Sequence, residues 1–115
     1  MIVRIFNHLR DKGLNPYFPG QHKGECEEPY VVIRQGSQTP TIGTNRTGLS
    51  IIDILIYTPA SSYTYMESYS KEVKAALKEL NYLRKTGFET PVILEDDKKA
   101  YMISIEYVLL KKLEG

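Results

Sequence analysis

A chain of 115 residues with 42% hydrophobic and 25% charged side chains has the make-up of one folded domain, spanning 1–115, and is too apolar to stay disordered. Fifteen basic against fourteen acidic side chains give a formal net charge of +1, which argues against a broad cationic field for nucleic acid and leaves room only for a local stripe. The single cysteine, Cys26, allows no internal disulfide and fits a reducing compartment such as a cytoplasm.

The opening segment 1–14 spaces Ile2, Ile5, Phe6 and Leu9 at helical intervals, and Gly13 then Pro16 provide a stop. Arg4, Arg10, Asp11 and Lys12 interrupt its apolar residues, so it does not read as a signal peptide. The apolar run 54–57 is far short of a membrane span, and a soluble chain without a membrane partner is expected. Residues 14–29 hold three prolines, two glycines and a Glu cluster, which predicts an irregular segment around one short strand near 16–18.

Residues 29–35 contain Tyr30, Val31, Val32 and Ile33, a β-branched and aromatic run expected as a strand with both faces at least partly covered, and 49–58 answers it. The intervening 36–48 is rich in Gly, Ser, Thr, Gln, Asn and Pro, so it reads as a long hairpin excursion. Loops of that length tend to be functional or mobile, which makes Gln38, Thr39, Ile42, Asn45 and Arg46 candidate partner contacts. Ser61 or Ser62 is placed to cap a following helix, in which Met66, Tyr69, Val73, Ala76, Leu77 and Leu80 step by threes and fours, and the helical region is expected to end at Gly87. Strands are expected at 90–94 and 100–110 around a polar turn, 95–98. On the second, Tyr101, Ile103, Ile105, Tyr107 and Leu109 form the core face. The elements together predict an α+β domain: a mainly antiparallel sheet of four or five strands with two helices packed on one face.

Three clusters invite a chemical reading and each has a plainer one. His22 and Cys26 lie among Glu25, Glu27 and Glu28, yet a structural metal site wants four ligands in paired spacings and the other histidine, His8, has no partner at such spacing, so no metal is expected. Gly43 and Gly48 have phosphate-loop spacing, but the Lys and hydroxyl that should follow are missing and a strand follows instead of a helix. Glu95, Asp96 and Asp97 are consecutive in a turn, not opposed across a cleft. No nucleophile motif stands near either histidine, so neither catalytic residues nor a cofactor is expected, and an enzymatic role such as a nuclease ranks last.

Tyrosine is the unusual count, nine with no tryptophan. Tyr57, Tyr63, Tyr65 and Tyr69 gather at a strand-to-helix junction. Tyr69 falls on the core stripe, whereas Tyr63 and Tyr65 precede it and are candidates for a protein interface as much as for ordinary partial burial.

The order of segments carries a resemblance. A short opening helix is followed by the strand Tyr30-Val31-Val32-Ile33 and a loop into Leu49-Ser-Ile-Ile-Asp-Ile-Leu-Ile-Tyr57. Tyr63 then opens a helix through Val73 and Leu77, and Tyr101-Met-Ile-Ser-Ile-Glu-Tyr107 closes the pattern. This succession resembles the tail terminator and tail-completion proteins of long-tailed bacteriophages, also called tail-to-head joining or minor capsid proteins. The likeness covers nearly the whole chain, rests on pattern and length with no diagnostic motif, and is poorest over 14–29. It implies a non-enzymatic virion protein, assembled in the bacterial cytoplasm, whose copies form a homohexameric ring on the tail tube protein and offer a docking surface to the head-completion or connector protein. The loop 36–48 and the sheet edges would then make subunit and tube contacts. A connector subunit of the same virion, or a small host protein-binding module that takes a peptide at a strand edge, is the alternative.

Overall fold

The computed structural model describes residues 2–22, 24–35, 50–61 and 63–109 and has an α+β fold, two helices over one face of a six-stranded, mostly antiparallel sheet. The elements in chain order are α1 (Ile2–Asp11), β1 (Pro16–Tyr17), β2 (Tyr30–Gln35), β3 (Ser50–Pro59), α2 (Tyr63–Lys78), β4 (Leu83–Glu89), β5 (Ile93–Glu95) and β6 (Ala100–Leu109). Across the sheet the order is β1-β2-β3-β6-β4, with β5 also paired to β6. Only the β1–β2 pair is parallel.

Helix α1 buries Ile5 and Leu9 and stops at a glycine for a geometric reason. Gly13 sits at φ 77°, in the left-handed region, where its N–H donates to the Arg10 carbonyl while the Leu14 N–H reaches back to Leu9. This paired closure satisfies the last carbonyls of the helix and folds Leu14 into the core. The helix is tied to α2 by His8, whose Nε2–H donates to the Ala76 carbonyl at 2.8 Å, and by Lys12, whose ammonium lies 2.9 Å from the Glu79 carboxylate.

The three central strands alternate as the pleat requires. Ile52, Ile54 and Ile56 of β3 face the helices together with Val31 and Ile33 of β2, and with Ile103, Ile105, Tyr107 and Leu109 of β6. Met66, Tyr69, Val73, Ala76 and Leu77 of α2 close this core from above. The expected core face of β6 is therefore the observed one, with Tyr101 at its partly buried end. The opposite face is not bare. Tyr30, Leu55, Tyr57 and Ala100 form a second, smaller cluster with Cys26, and Tyr17, Val32 and Met102 pack against it.

Two expectations need correction. The helical region does not run to Gly87: α2 ends at Lys78, and residues 83–89 form β4, the strand that raises the count from the expected four or five to six. The outer edge of β6 has backbone groups to pair, and Leu83, set opposite Leu109, completes the core there, so pairing outweighs the helix-favouring residues that precede it. The strand expected at 90–94 begins later, as β5 at Ile93, because Thr90 binds Ser104 instead: the Thr90 N–H donates to the Ser104 carbonyl, and the Ser104 N–H donates to Thr90 Oγ1, both at 2.9 Å. No helix among the described residues is long and apolar enough to cross a membrane.

Candidate interaction surfaces

Strand β4 ends the sheet among the described residues, and its irregularity decides what it shows to solvent. Lys85 pairs with Tyr107 and Glu89 with Ile105, so four steps on β4 cover two on β6. The surplus bulges at Thr86, Gly87 and Phe88. Gly87 has φ 99°, a conformation that side chains disfavour, and nothing in the surroundings crowds it. Thr86 holds the bulge together: its hydroxyl lies 2.8 Å from Glu106 Oε1, and the Phe88 N–H donates to Thr86 Oγ1 at 3.3 Å. The consequence is that Phe88 is turned outward and is 61% exposed.

Further along the same edge, Ile93 and Leu94 are 41% and 53% exposed. Leu94 is the register partner of Tyr101, and the Tyr101 ring meets Tyr63 edge-on at 5.4 Å, so Leu94, Tyr101 and Tyr63 follow one another along one side of the domain. Tyr63 and Tyr65 are both exposed, and Tyr65 packs edge-on against buried Tyr69 at 6.2 Å. The structure therefore places the two tyrosines singled out from the sequence on the surface. Gln38, Thr39, Ile42, Asn45 and Arg46 lie outside the described residues. Phe88, Ile93 and Leu94 escaped the sequence reading, although the isolated Gly87 within an apolar and β-favouring stretch is the signal of a bulge that could have found them.

The second surface lies on the opposite face of the sheet, beside the segments 18–22 and 24–29. Here the rings of His22, Tyr30 and Tyr57 are stacked, the first pair at 3.8 Å and the second at 4.7 Å, each with an interplanar angle of 11°. Tyr17 meets both His22 and Tyr30 edge-on, and the Lys98 ammonium stands 5.9 Å from the Tyr57 ring centre. Two shallow hollows of about 360 and 230 Å³ flank the stack, the larger bordered by Glu25, Glu27 and Glu28. The Tyr30 hydroxyl and His22 Nδ1 are buried without a hydrogen-bond partner among the described residues.

Burial governs the titration of these groups. Desolvation raises the Tyr30 and Tyr57 phenols above their ordinary range. It also holds the His22 imidazole below its ordinary value, with the Lys98 ammonium pushing the same way. The unfolded chain therefore takes up a proton at His22 before the folded one does, and stability present above the ordinary pKa of 6.5 falls as the pH drops from there to the lowered folded value. His22→Gln is expected to remove that portion of the loss; chemical denaturation at about pH 7.5 and about pH 5.5, roughly one unit either side of an ordinary histidine, checks it, and an unchanged pH slope in the variant would refute it.

Cys26 is similarly insulated. Its thiol donates to the Glu28 carbonyl at 3.2 Å, and burial pushes its pKa up to about 11, against a smaller opposing effect of Lys98. At neutral pH the native protein is expected to react with iodoacetamide on the order of a hundredfold more slowly than the unfolded chain, since the thiolate is the nucleophile. Alkylation rates followed by mass spectrometry would decide it. Among the described residues no group of three or more His, Cys, Asp and Glu side chains is placed to hold a metal ion. In that segment His22 is a stacked ring, Cys26 a hydrogen-bonded thiol, and Glu25, Glu27 and Glu28 are exposed.

The sequence matches no model of a known protein family and no curated protein.

Proposed function

We propose that the chain is a non-enzymatic structural subunit of a phage or prophage virion, which assembles as a ring on the tail tube and supplies the surface on which head and tail join. The observation that carries this reading is the β4–β5 edge, where Phe88 on β4 and Ile93 and Leu94 on β5 stand exposed, each strand having an outer side left unpaired among the described residues. Large apolar side chains exposed along an open sheet edge invite association with another chain. Identical copies related by rotation put one patch against a different patch on the neighbour, and when the rotation closes, growth stops at a finite cap. The segment order that resembles tail terminator proteins gives the ring its place, and the hexamer is the expected size. The expected location is the virion, with assembly in the bacterial cytoplasm, and the partners are other copies, the tail tube protein and the head-completion or connector protein.

A module that takes an extended peptide at β4 is the second reading, because the same open edge suits strand addition. Gene deletion in a phage or prophage encoding this chain separates the two. The ring reading expects separate full heads and unjoined tails, restored by the gene in trans but not by a version lacking 38–46. Normal virions after deletion, with the protein recovered in a one-to-one complex with a cellular protein, would overturn it.

A further inference from the structure

The flank of the domain between α2 and β4 carries a groove of about 380 Å³. Leu77, Leu83 and Tyr107 make its floor, and Lys74, Lys78 and Lys85 stand round its mouth. Glu89 offsets part of this charge, lying 2.9 Å from Lys74 and 3.7 Å from Lys85. Lys78 has no carboxylate within ion-pair distance among the described residues, and Arg84 is exposed on the adjoining position of β4. The floor holds an unmet polar group: Tyr107 is 3% exposed and its hydroxyl has no hydrogen-bond partner among the described residues.

A segment of the opposite character lies elsewhere on the same molecule. Glu25, Glu27 and Glu28 are exposed on a turn fixed from within by the Cys26 thiol, which donates to Glu28, and by the Cys26 N–H, which donates to the Lys98 carbonyl at 2.7 Å. Lys99 lies 3.5 Å from Glu25, whereas Glu27 and Glu28 have no cation within ion-pair distance among the described residues. That turn sits beside Lys98, at the Ala100 end of β6, while the groove lies beside Tyr107 and the Leu83–Leu109 pair, on the order of 25 Å along the strand at 3.4 Å per residue. A copy cannot fill its own groove.

We propose that the lysine-rimmed groove between α2 and β4 receives the acidic 24–29 turn of the next copy of this chain. The inference rests on the ring reading above and names its two complementary patches. The argument is charge complementarity between two different sites on one chain, the arrangement a head-to-tail ring needs and a two-fold dimer does not. It also gives a role to the strand bulge: β4 lines the groove through Leu83 and Lys85 and supplies the apolar edge through Phe88, so both contacts lie on one side of the subunit.

Zero-length carbodiimide coupling of a mixture of light and 15N-labelled protein tests it. The expected products are heavy–light cross-links joining Glu27 or Glu28 to Lys78 or Lys85, suppressed at about 0.5 M salt, where charge is screened within a few ångströms. Both K78E/K85E and E27K/E28K should weaken self-association by about tenfold or more in sedimentation equilibrium, and an equimolar mixture should recover it, since each altered patch then meets its opposite. Circular dichroism would verify that the exposed substitutions leave the fold intact. Cross-links confined to other positions, no intermolecular cross-link at all, or charge-reversed variants that associate like the parent would overturn the assignment. If a discrete closed oligomer still forms through other residues, the ring reading stands and only these patches fall.

Discussion

Replacing Ile54 with alanine is expected to lower the free energy of unfolding by about 3 kcal/mol, within the range found for large-to-small changes in tight cores. Ile54 is fully buried at the centre of β3, opposite Ile33 on one side and Ile105 on the other, and shares one apolar cluster with Leu77 and Val73 of the helix layer. Removing its outer carbons leaves a void lined by side chains of β2, β6 and α2, and the two flanking strands cannot close it without shifting their pairing to β3. Val32→Ala, on the opposite face where the side chain is only partly buried, should lose less than half as much. Urea denaturation of the two variants gives the comparison; equal losses would mean that the helix-side face is not the main core.

The double replacement of Phe88 and Leu94 by aspartate is expected to leave the fold unchanged and to abolish joining of heads to tails. Both side chains are more than half exposed, so the folded monomer surrenders little by losing them. An interface is different. Burying an unpaired carboxylate at its apolar centre removes the contact and adds a desolvation penalty of several kcal/mol, which corresponds to a loss of affinity of a thousandfold or more, on the order of 4 kcal/mol. Melting temperature and the yield of infectious particles after complementation provide the two readings. Full joining with the double aspartate chain would remove this edge from the assembly mechanism.

How much of this could be seen in the residues alone differs by element. Long periodic segments were legible: the stripe through Met66, Tyr69, Val73 and Leu77, and the alternation along β6, each state their structure locally. Strand β4 was not. Leu83-Arg-Lys-Thr-Gly-Phe-Glu89 has one buried side chain, and it is strand because β6 offers an edge to pair with, a fact of tertiary structure that no local period records. The reach of the aromatic stack was hidden for the same reason. Tyr57 could be read as a member of β3, but its packing under Tyr30 depends on cross-strand register, and the seating of His22 on Tyr30 depends on the path of an irregular segment. Of the candidate contacts, exposure of Tyr63 and Tyr65 followed from their place ahead of the helical core stripe. The apolar edge required Gly87 to be recognised as a bulge within a strand and not as the end of a helix.

The most direct test of the account, that the working surface is the outside of the domain repeated by symmetry, is the copy number and arrangement of the chain at the end of isolated tail tubes, imaged by electron cryomicroscopy. A closed ring of equivalent subunits, with the β4 flank of each against a different patch of its neighbour, is the expected result. A single copy bound to the tail or to a cellular protein, or a substrate held by converging polar groups within one subunit, would contradict it.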